Sequence, residues 1–188
     1  MAGGKVSMWP FGQVEMAPIF VTSLLQFEQW VPFSLGRVFL FFANPQNLPR
    51  IMPAATATRI EQLTLVPPPE RPATDTQSLA GVGSRIVTSF RVFPFLPVRA
   101  RWVALITEFE WDHHFADIQK EGPFKRFHHR HELEAETREG VAGTIVRDVI
   151  EYDVGLGPLG WAANQILVER KFQRTFAGRQ DALGRLLD

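Results

Sequence analysis

The chain has 188 residues, 20 Lys and Arg balanced by 20 Asp and Glu, no Cys, and an aromatic content of 16 Phe against five Trp and one Tyr. That length fits one domain with a sizeable core, and the lack of Cys excludes disulfides, Cys-ligated zinc and thiol catalysis. Zero net charge argues against general nucleic-acid binding, which needs surplus cations to displace counterions.

Residues 1–17 read as a leader of uncertain order, in which Met8 and Met16 are alternative starts to Met1. The leader has no apolar core and no small-residue cleavage site, so it does not read as a secretory signal. With no Cys either, the expected location is cytoplasmic. Residues 18–188 read as a single domain. No apolar run approaches the roughly 20 residues of a membrane span.

Ile19 to Val31 is rich in β-branched and aromatic residues and predicts a strand, ended by Pro32. Ser34 stands in the N-cap position before Leu35, Val38, Phe39 and Phe42, which fall at helical spacing. Asn44-Pro45 stops that helix, and a short second helix or turn spans Gln46 to Ile51. Thr56 to Val66 predicts the next strand. The segment 67–80 carries Pro67, Pro68, Pro69 and Pro72 and predicts an exposed, mobile loop.

Ser84 to Phe93, Val98 to Trp111, Phe115 to Lys120, Lys125 to Glu136 and Gly143 to Val154 then alternate or are β-rich. Their short separations, marked by turn residues, require antiparallel hairpins, because parallel crossovers need a dozen or more residues. Pro158 sits in the first turn of a final long helix. Its apolar stripe runs through Trp161, Val168, Phe172, Phe176, Leu183 and Leu187, with Glu169, Arg170, Lys171, Arg174, Arg179 and Asp181 opposite. Gly178 and Gly184 weaken its second half. The order predicts an α+β fold: two short helices after the first strand, then about six to seven antiparallel strands around one long C-terminal helix.

Several motifs resemble the START-like, or SRPBCC, helix-grip superfamily, and within it the bacterial polyketide cyclase/dehydrase-like proteins. They are Pro32-Phe33-Ser34-Leu35-Gly36-Arg37-Val38-Phe39, Asn47-Leu48-Pro49, Phe115-Ala116-Asp117-Ile118-Gln119, Gly122-Pro123-Phe124, His129-Arg130-His131, Arg147-Asp148 and Gly155-Leu156-Gly157-Pro158-Leu159-Gly160. The resemblance covers about residues 19–187. It implies a curved sheet gripping the last helix, with an apolar cavity between them; the superfamily shares no universal catalytic residue. Gly155, Gly157 and Gly160 also fit GxGxxG. A dinucleotide site there fails, because everything after Gly160 reads as helix and no second parallel strand can follow.

All five His lie between 113 and 131. Strand period places Phe127, His129, His131 and Leu133 on one face and Arg126, His128, Arg130 and Glu132 on the other. His129 and His131 are thereby candidates for packing, for orienting a ligand, for general base catalysis or for a metal. A third ligand would need His114, Asp117 or Glu108 to converge, so no metal and no cofactor is assigned. On the strand Val98 to Trp111, either Trp102, Ala104, Ile106 and Glu108 or Arg101, Val103, Leu105, Thr107, Phe109 and Trp111 face inward; the first set is favoured. The charges there read as solvated cross-strand pairs, with Arg91 and Arg101 as alternative anchors for an acidic head group.

The expected function is binding of a small hydrophobic molecule, such as a lipid, polyketide or isoprenoid, by Trp102, Ile106, Phe127, His129, His131, Phe172 and Phe176. Admission would be gated by the 67–80 loop, the 93–97 loop and the second short helix. The alternatives are a cyclase or dehydratase with His129 or His131 as base, and a module that binds a protein or quinone-enzyme partner. A small-molecule partner, no nucleic acid and no membrane span are expected.

Overall fold

The computed structural model describes residues 23–92, 98–155 and 168–187. The leader, the 93–97 loop and the glycine turn at 156–160 with Pro158 and Trp161 lie outside the described residues.

Strand β1 (Ser23–Val31) leads into α1 (Leu35–Ala43), a 3-10 turn (Pro45–Asn47), α2 (Leu48–Ile51) and a second 3-10 turn (Ala54–Thr56). Six further strands follow: β2 (Arg59–Thr64), β3 (Arg85–Arg91), β4 (Arg99–Glu110), β5 (His114–Glu121), β6 (Arg126–Arg138) and β7 (Val141–Asp153). The last described element is α3 (Glu169–Leu187). Ser34 occupies the N-cap of α1, but its side chain makes no capping hydrogen bond. The side chain of Asn44 caps the next turn instead, accepting from the Gln46 N–H at 3.0 Å.

The seven strands form one sheet in the order β1-β7-β6-β5-β4-β3-β2, with every pair antiparallel. Strands β2 to β7 follow chain order, and β1 closes the far edge against β7, with Val31 opposite Thr144. One face of this sheet meets α1 and α3. At one end, Phe39 is fully buried against Phe109, Trp111 and Phe115. At the other, Phe176 of α3 stacks on Phe27 of β1 with centroids 4.3 Å apart. This is a helix-grip fold, as the sequence pattern and the resemblance both implied.

The phase of β4 is settled by a bulge. Ile106 opposes Asp117, whereas Glu108 opposes Ala116, so the register slips by one residue at Thr107. Directly opposed residues share a face. Ile106 therefore shares the α3-facing side with Asp117 and, through it, with His129. Beyond the slip Phe109, opposite Phe115, keeps to that side and Glu108 turns to the outer one. The expected inward set holds for Trp102, Ala104 and Ile106 and fails for Glu108, because strict alternation cannot see an extra residue.

The 67–80 segment is more tightly held than its composition suggests. Pro68, Thr76, Leu79 and Ala80 are buried. The Trp111 indole N–H donates to the Pro69 carbonyl at 3.1 Å, and Arg71 pairs with Asp112 at 2.7 Å while lying over the Trp111 ring. Gly81 is needed where this loop returns: a Cβ there would come within 2.6 Å of the Pro68 backbone. Helix α3 continues through Gly178 and Gly184 to Leu187. At Gly178 a Cβ would stand only 3.1 Å from the Pro53 ring, so the residue permits a close approach of the segment after α2.

Candidate functional site

Three neighbouring strands and one helix converge on a buried polar cluster. Alternation on β6 sends Phe127, His129, His131 and Leu133 inward, and all four are buried. Register supplies the partners: Asp117 of β5 lies opposite His129, and Asp148 of β7 lies opposite His131. From α3, Arg179 enters between Phe176 and Leu183, three residues after one and four before the other. It is 9% exposed, so the expectation that it belongs to the solvent side of the helix is corrected. A guanidinium is tolerated there because the buried Asp148 carboxylate compensates its charge.

The contacts centre on one oxygen. Asp148 Oδ1 lies 2.9 Å from His129 Nε2, 2.7 Å from His131 Nδ1 and 3.7 Å from Arg179 Nη2. The His129 contact is a well-aligned hydrogen bond. The His131 nitrogen faces the same oxygen at a less favourable angle. The two imidazoles sit with centroids 4.0 Å apart. On the far side, His129 Nδ1 is 4.0 Å from Asp117 Oδ1.

These positions fix the charges. Burial pushes the His129 pKa down to about 4, helped by the neighbouring His131 and opposed by Asp148 and Asp117. Burial also lowers His131 against the pull of Asp148. Both imidazoles are therefore neutral near pH 7. Burial alone would raise Asp148, but Arg179 and the two imidazoles outweigh it and hold the carboxyl well below its ordinary range. Burial raises Asp117, aided by the Asp148 charge and opposed by His129, His128 and Arg179. The cluster is thus an Asp148–Arg179 ion pair flanked by two neutral imidazoles.

The cluster borders two small spaces. One, about 50 Å³, is lined by Phe41, Phe42, Asn44, Pro45, Asn47, Leu48, Ile51, His131 and Arg179. The other, about 10 Å³, lies between Gln29, Phe42, Ile51, Val146, Asp148, Arg179, Gln180 and Leu183. The first has room for a few waters at most. Toward the other end of α3 an aromatic block fills the grip: Trp102 meets Phe127 edge-on at 4.6 Å, and Phe124 stacks on Phe127 at 5.5 Å and on Phe172 at 5.8 Å. Phe172 also contacts Tyr152 and Phe176.

Of the residues expected at the site, His129 and His131 come together, and Trp102, Phe127, Phe172 and Phe176 form the aromatic block beside them. Ile106 packs in a separate cluster with Ala80, Ile86 and Ala104. Arg101 pairs with Glu121 across β4 and β5, as a solvated cross-strand partner. Sequence reasoning gave no role to Asp148 or Arg179. The readable signal for Asp148 was its place in β7 strand phase: Val146, Asp148, Ile150 and Tyr152 form one alternating buried row.

The fold places the chain among helix-grip proteins. It superimposes on norcoclaurine synthase from Thalictrum flavum with a TM-score of 0.60 at 17% identity, covering 97% of this chain and 98% of that one. A Thermus thermophilus protein matches with a TM-score of 0.57 at 16% identity over 88% of this chain and 97% of its own. A Mycobacterium smegmatis protein matches at 0.56 and 15% identity, over 87% and 90% of the two chains. No protein-family model matches the chain, and no curated protein matches it by sequence. Among the described residues, no helix is long and apolar enough to cross a membrane.

Proposed function

We propose that the protein binds a small, largely apolar molecule between α3 and the sheet, with one oxygen-bearing group of that molecule on His131 and Arg179. The observation that carries this is the placing of two buried polar side chains, His131 and Arg179, in the wall of the cleft under α2. A few polar groups in a mostly apolar wall fix a ligand's orientation, and an imidazole with a guanidinium suits a carbonyl, phenol or carboxylate. The apolar side chains of the cleft itself, Phe41, Phe42, Leu48 and Ile51, offer the apolar surface, worth about 25 cal/mol per Å² covered. Ligand sites of drug-sized molecules span about 300–1,000 Å³, far more than the cleft of about 50 Å³. Binding therefore requires α2, a single helical turn, to move away from α3. A lipid, polyketide or isoprenoid would suit these demands.

A second reading is supported by the contact of His131 Nδ1 with Asp148 Oδ1 at 2.7 Å, since His131 borders the cleft. A neutral imidazole oriented by a carboxylate is the arrangement of a general base. A solved norcoclaurine synthase of this fold, in complex with dopamine and hydroxybenzaldehyde, has a TM-score of 0.58 at 17% identity. In this reading the bound molecule is a substrate, and His131, which borders the cleft, is the residue that meets it.

Native mass spectrometry of protein as purified, followed by titration with the apolar fluorophore 1-anilinonaphthalene-8-sulfonate, tests the binding reading. One saturable site is expected, lost on Ile51→Trp, which fills the cleft, and weakened on His131→Phe. No retained small molecule together with no saturable fluorophore site would overturn it.

A further inference from the structure

The geometry points to a zinc-class divalent metal site on the outer face of the sheet, formed by Glu110, His113 and His114 at the β4–β5 turn. It lies on the side opposite the buried cluster.

The turn builds it. Glu110 ends β4 and His114 begins β5 directly opposite it. Asp112 takes a left-handed conformation, φ 56°, that brings the chain round in three residues. The His113 N–H donates to the Glu110 carbonyl at 3.2 Å, and the His113 carbonyl accepts from the Leu133 N–H at 2.8 Å, so the backbone of the turn is fixed on both sides. Arg71, through its ion pair with Asp112, holds the turn from the 67–80 segment.

Three donor atoms then face one another. His113 Nδ1 and His114 Nδ1 are 2.8 Å apart, and Glu110 Oε2 is 3.6 Å from the first and 3.5 Å from the second. Donors around a tetrahedral ion with bonds of 2.0–2.1 Å are spaced about 3.3 Å apart. A triangle with these edges has a centre about 2 Å from every corner, which is the length of zinc–imidazole and zinc–carboxylate bonds. The donor set is imidazole and carboxylate, which suits zinc and its neighbours in the first transition row over calcium or magnesium.

The next shell supports the same assignment. Glu108 Oε2 lies 3.3 Å from His114 Nε2. A proton on Nε2 directed at that carboxylate leaves Nδ1 with a bare lone pair, which is the tautomer a metal requires. Glu108 is itself set by Arg130 at 3.4 Å and His128 at 3.6 Å. It reaches this face only because of the bulge at Thr107. His113 and Glu110 are exposed, so the remaining coordination positions open to solvent and hold water or a side chain of another molecule.

Protein carrying no affinity tag, stripped with chelator and desalted, is titrated with zinc chloride by calorimetry and with cobalt(II) by visible absorption. One equivalent is expected to bind. His113→Ala and His114→Ala should each weaken binding by about 100-fold, and Glu110→Gln and Glu108→Gln by about 10-fold. Glu110 and His113 are exposed and Glu108 and His114 partly covered, and unchanged melting temperatures exclude misfolding as the cause. The buried trio Asp117, His129 and His131 also brings donor atoms within 4.8 Å of one another. If Asp117→Asn abolishes binding while His114→Ala leaves it intact, the ion belongs there and the proposal is wrong. No zinc uptake at 100-micromolar metal, an assay level of about 5.5 kcal/mol in affinity, overturns it as well.

Discussion

Asp148 and Arg179 meet across the interface between the last strand and the last helix, with Nη2 3.7 Å from Oδ1 and both side chains about nine-tenths buried. This pair ties α3 to the sheet at the point where the apolar stripe of the helix is interrupted by a charge. Removing one member leaves the other buried without compensation.

Arg179→Met should therefore destabilise the protein by about 3 kcal/mol, measured by urea unfolding. The double change Arg179→Met with Asp148→Leu should recover part of that loss, because no charge is then stranded. Equal destabilisation by the single and double variants would show that the helix loses packing and that the ion pair is incidental.

Stability should fall on mild acidification. His129 has its pKa lowered from 6.5 to about 4 in the folded protein. Below pH 6.5 the unfolded chain takes up a proton that the native state refuses until about pH 4. The stability is fully present above 6.5 and is lost through that window, with a ceiling of about 3 kcal/mol. His131 acts in the same direction. Asp117, raised by burial, acts in the opposite direction, and Asp148 adds its loss only below the normal carboxylate range. The urea midpoint should drop between pH 7 and pH 4.5, and His129→Gln, which keeps a donor for Asp148, should flatten the drop. A midpoint that holds or rises over this range would contradict the buried neutral imidazole.

Gly143→Ala should cost about 1–3 kcal/mol. A Cβ at that position would stand 2.5 Å from the Trp30 indole and from the Val31 carbonyl, where β1 crosses the start of β7. Trp30 has little freedom to withdraw, since its N–H donates to the Glu136 carbonyl at 3.2 Å. Thermal melting reads this directly, and an unchanged midpoint would mean that the strand ends can separate freely.

Arg71→Ala should make the 67–80 segment a faster target for limited proteolysis, several-fold by the reasoning that local opening governs cleavage. The wild-type segment is held by the Arg71–Asp112 pair and by the Trp111–Pro69 hydrogen bond. Trp111→Phe should act in the same sense. Cleavage at an unchanged rate in both would leave the buried Leu79 and Ala80 as the true anchors.

The strands and the last helix were legible because alternation and helical spacing are local. Phe127, His129, His131 and Leu133 could be sided from β6 alone, and so could Phe172 and Phe176 on α3. The partners of the His pair were less accessible. Asp148 stands 17 residues beyond His131 in the chain, and only the register of β6 and β7 sets the two opposite each other. Arg179 was sided by its charge, which misleads when a carboxylate lies beneath the helix. The slip at Thr107 escaped because nothing in the composition of β4 marks an extra residue. The 67–80 segment has the composition of a free loop, yet Leu79 packs into the core with Val38, Phe39 and Phe115 and Ala80 beside Ile86 and Ala104, a tertiary fact with no local trace.

The ordering of the sheet has a consequence for synthesis. Strands β2 to β7 each find a neighbour beside them in the chain, whereas β1, the first described strand to be translated, pairs only with β7. Its residues Ser23 to Val31 must wait for Thr144 to Tyr152 to emerge from the ribosome. Until then the nascent chain carries an apolar strand with open hydrogen-bonding edges, the condition under which chaperones are recruited and chains pair with the wrong neighbour.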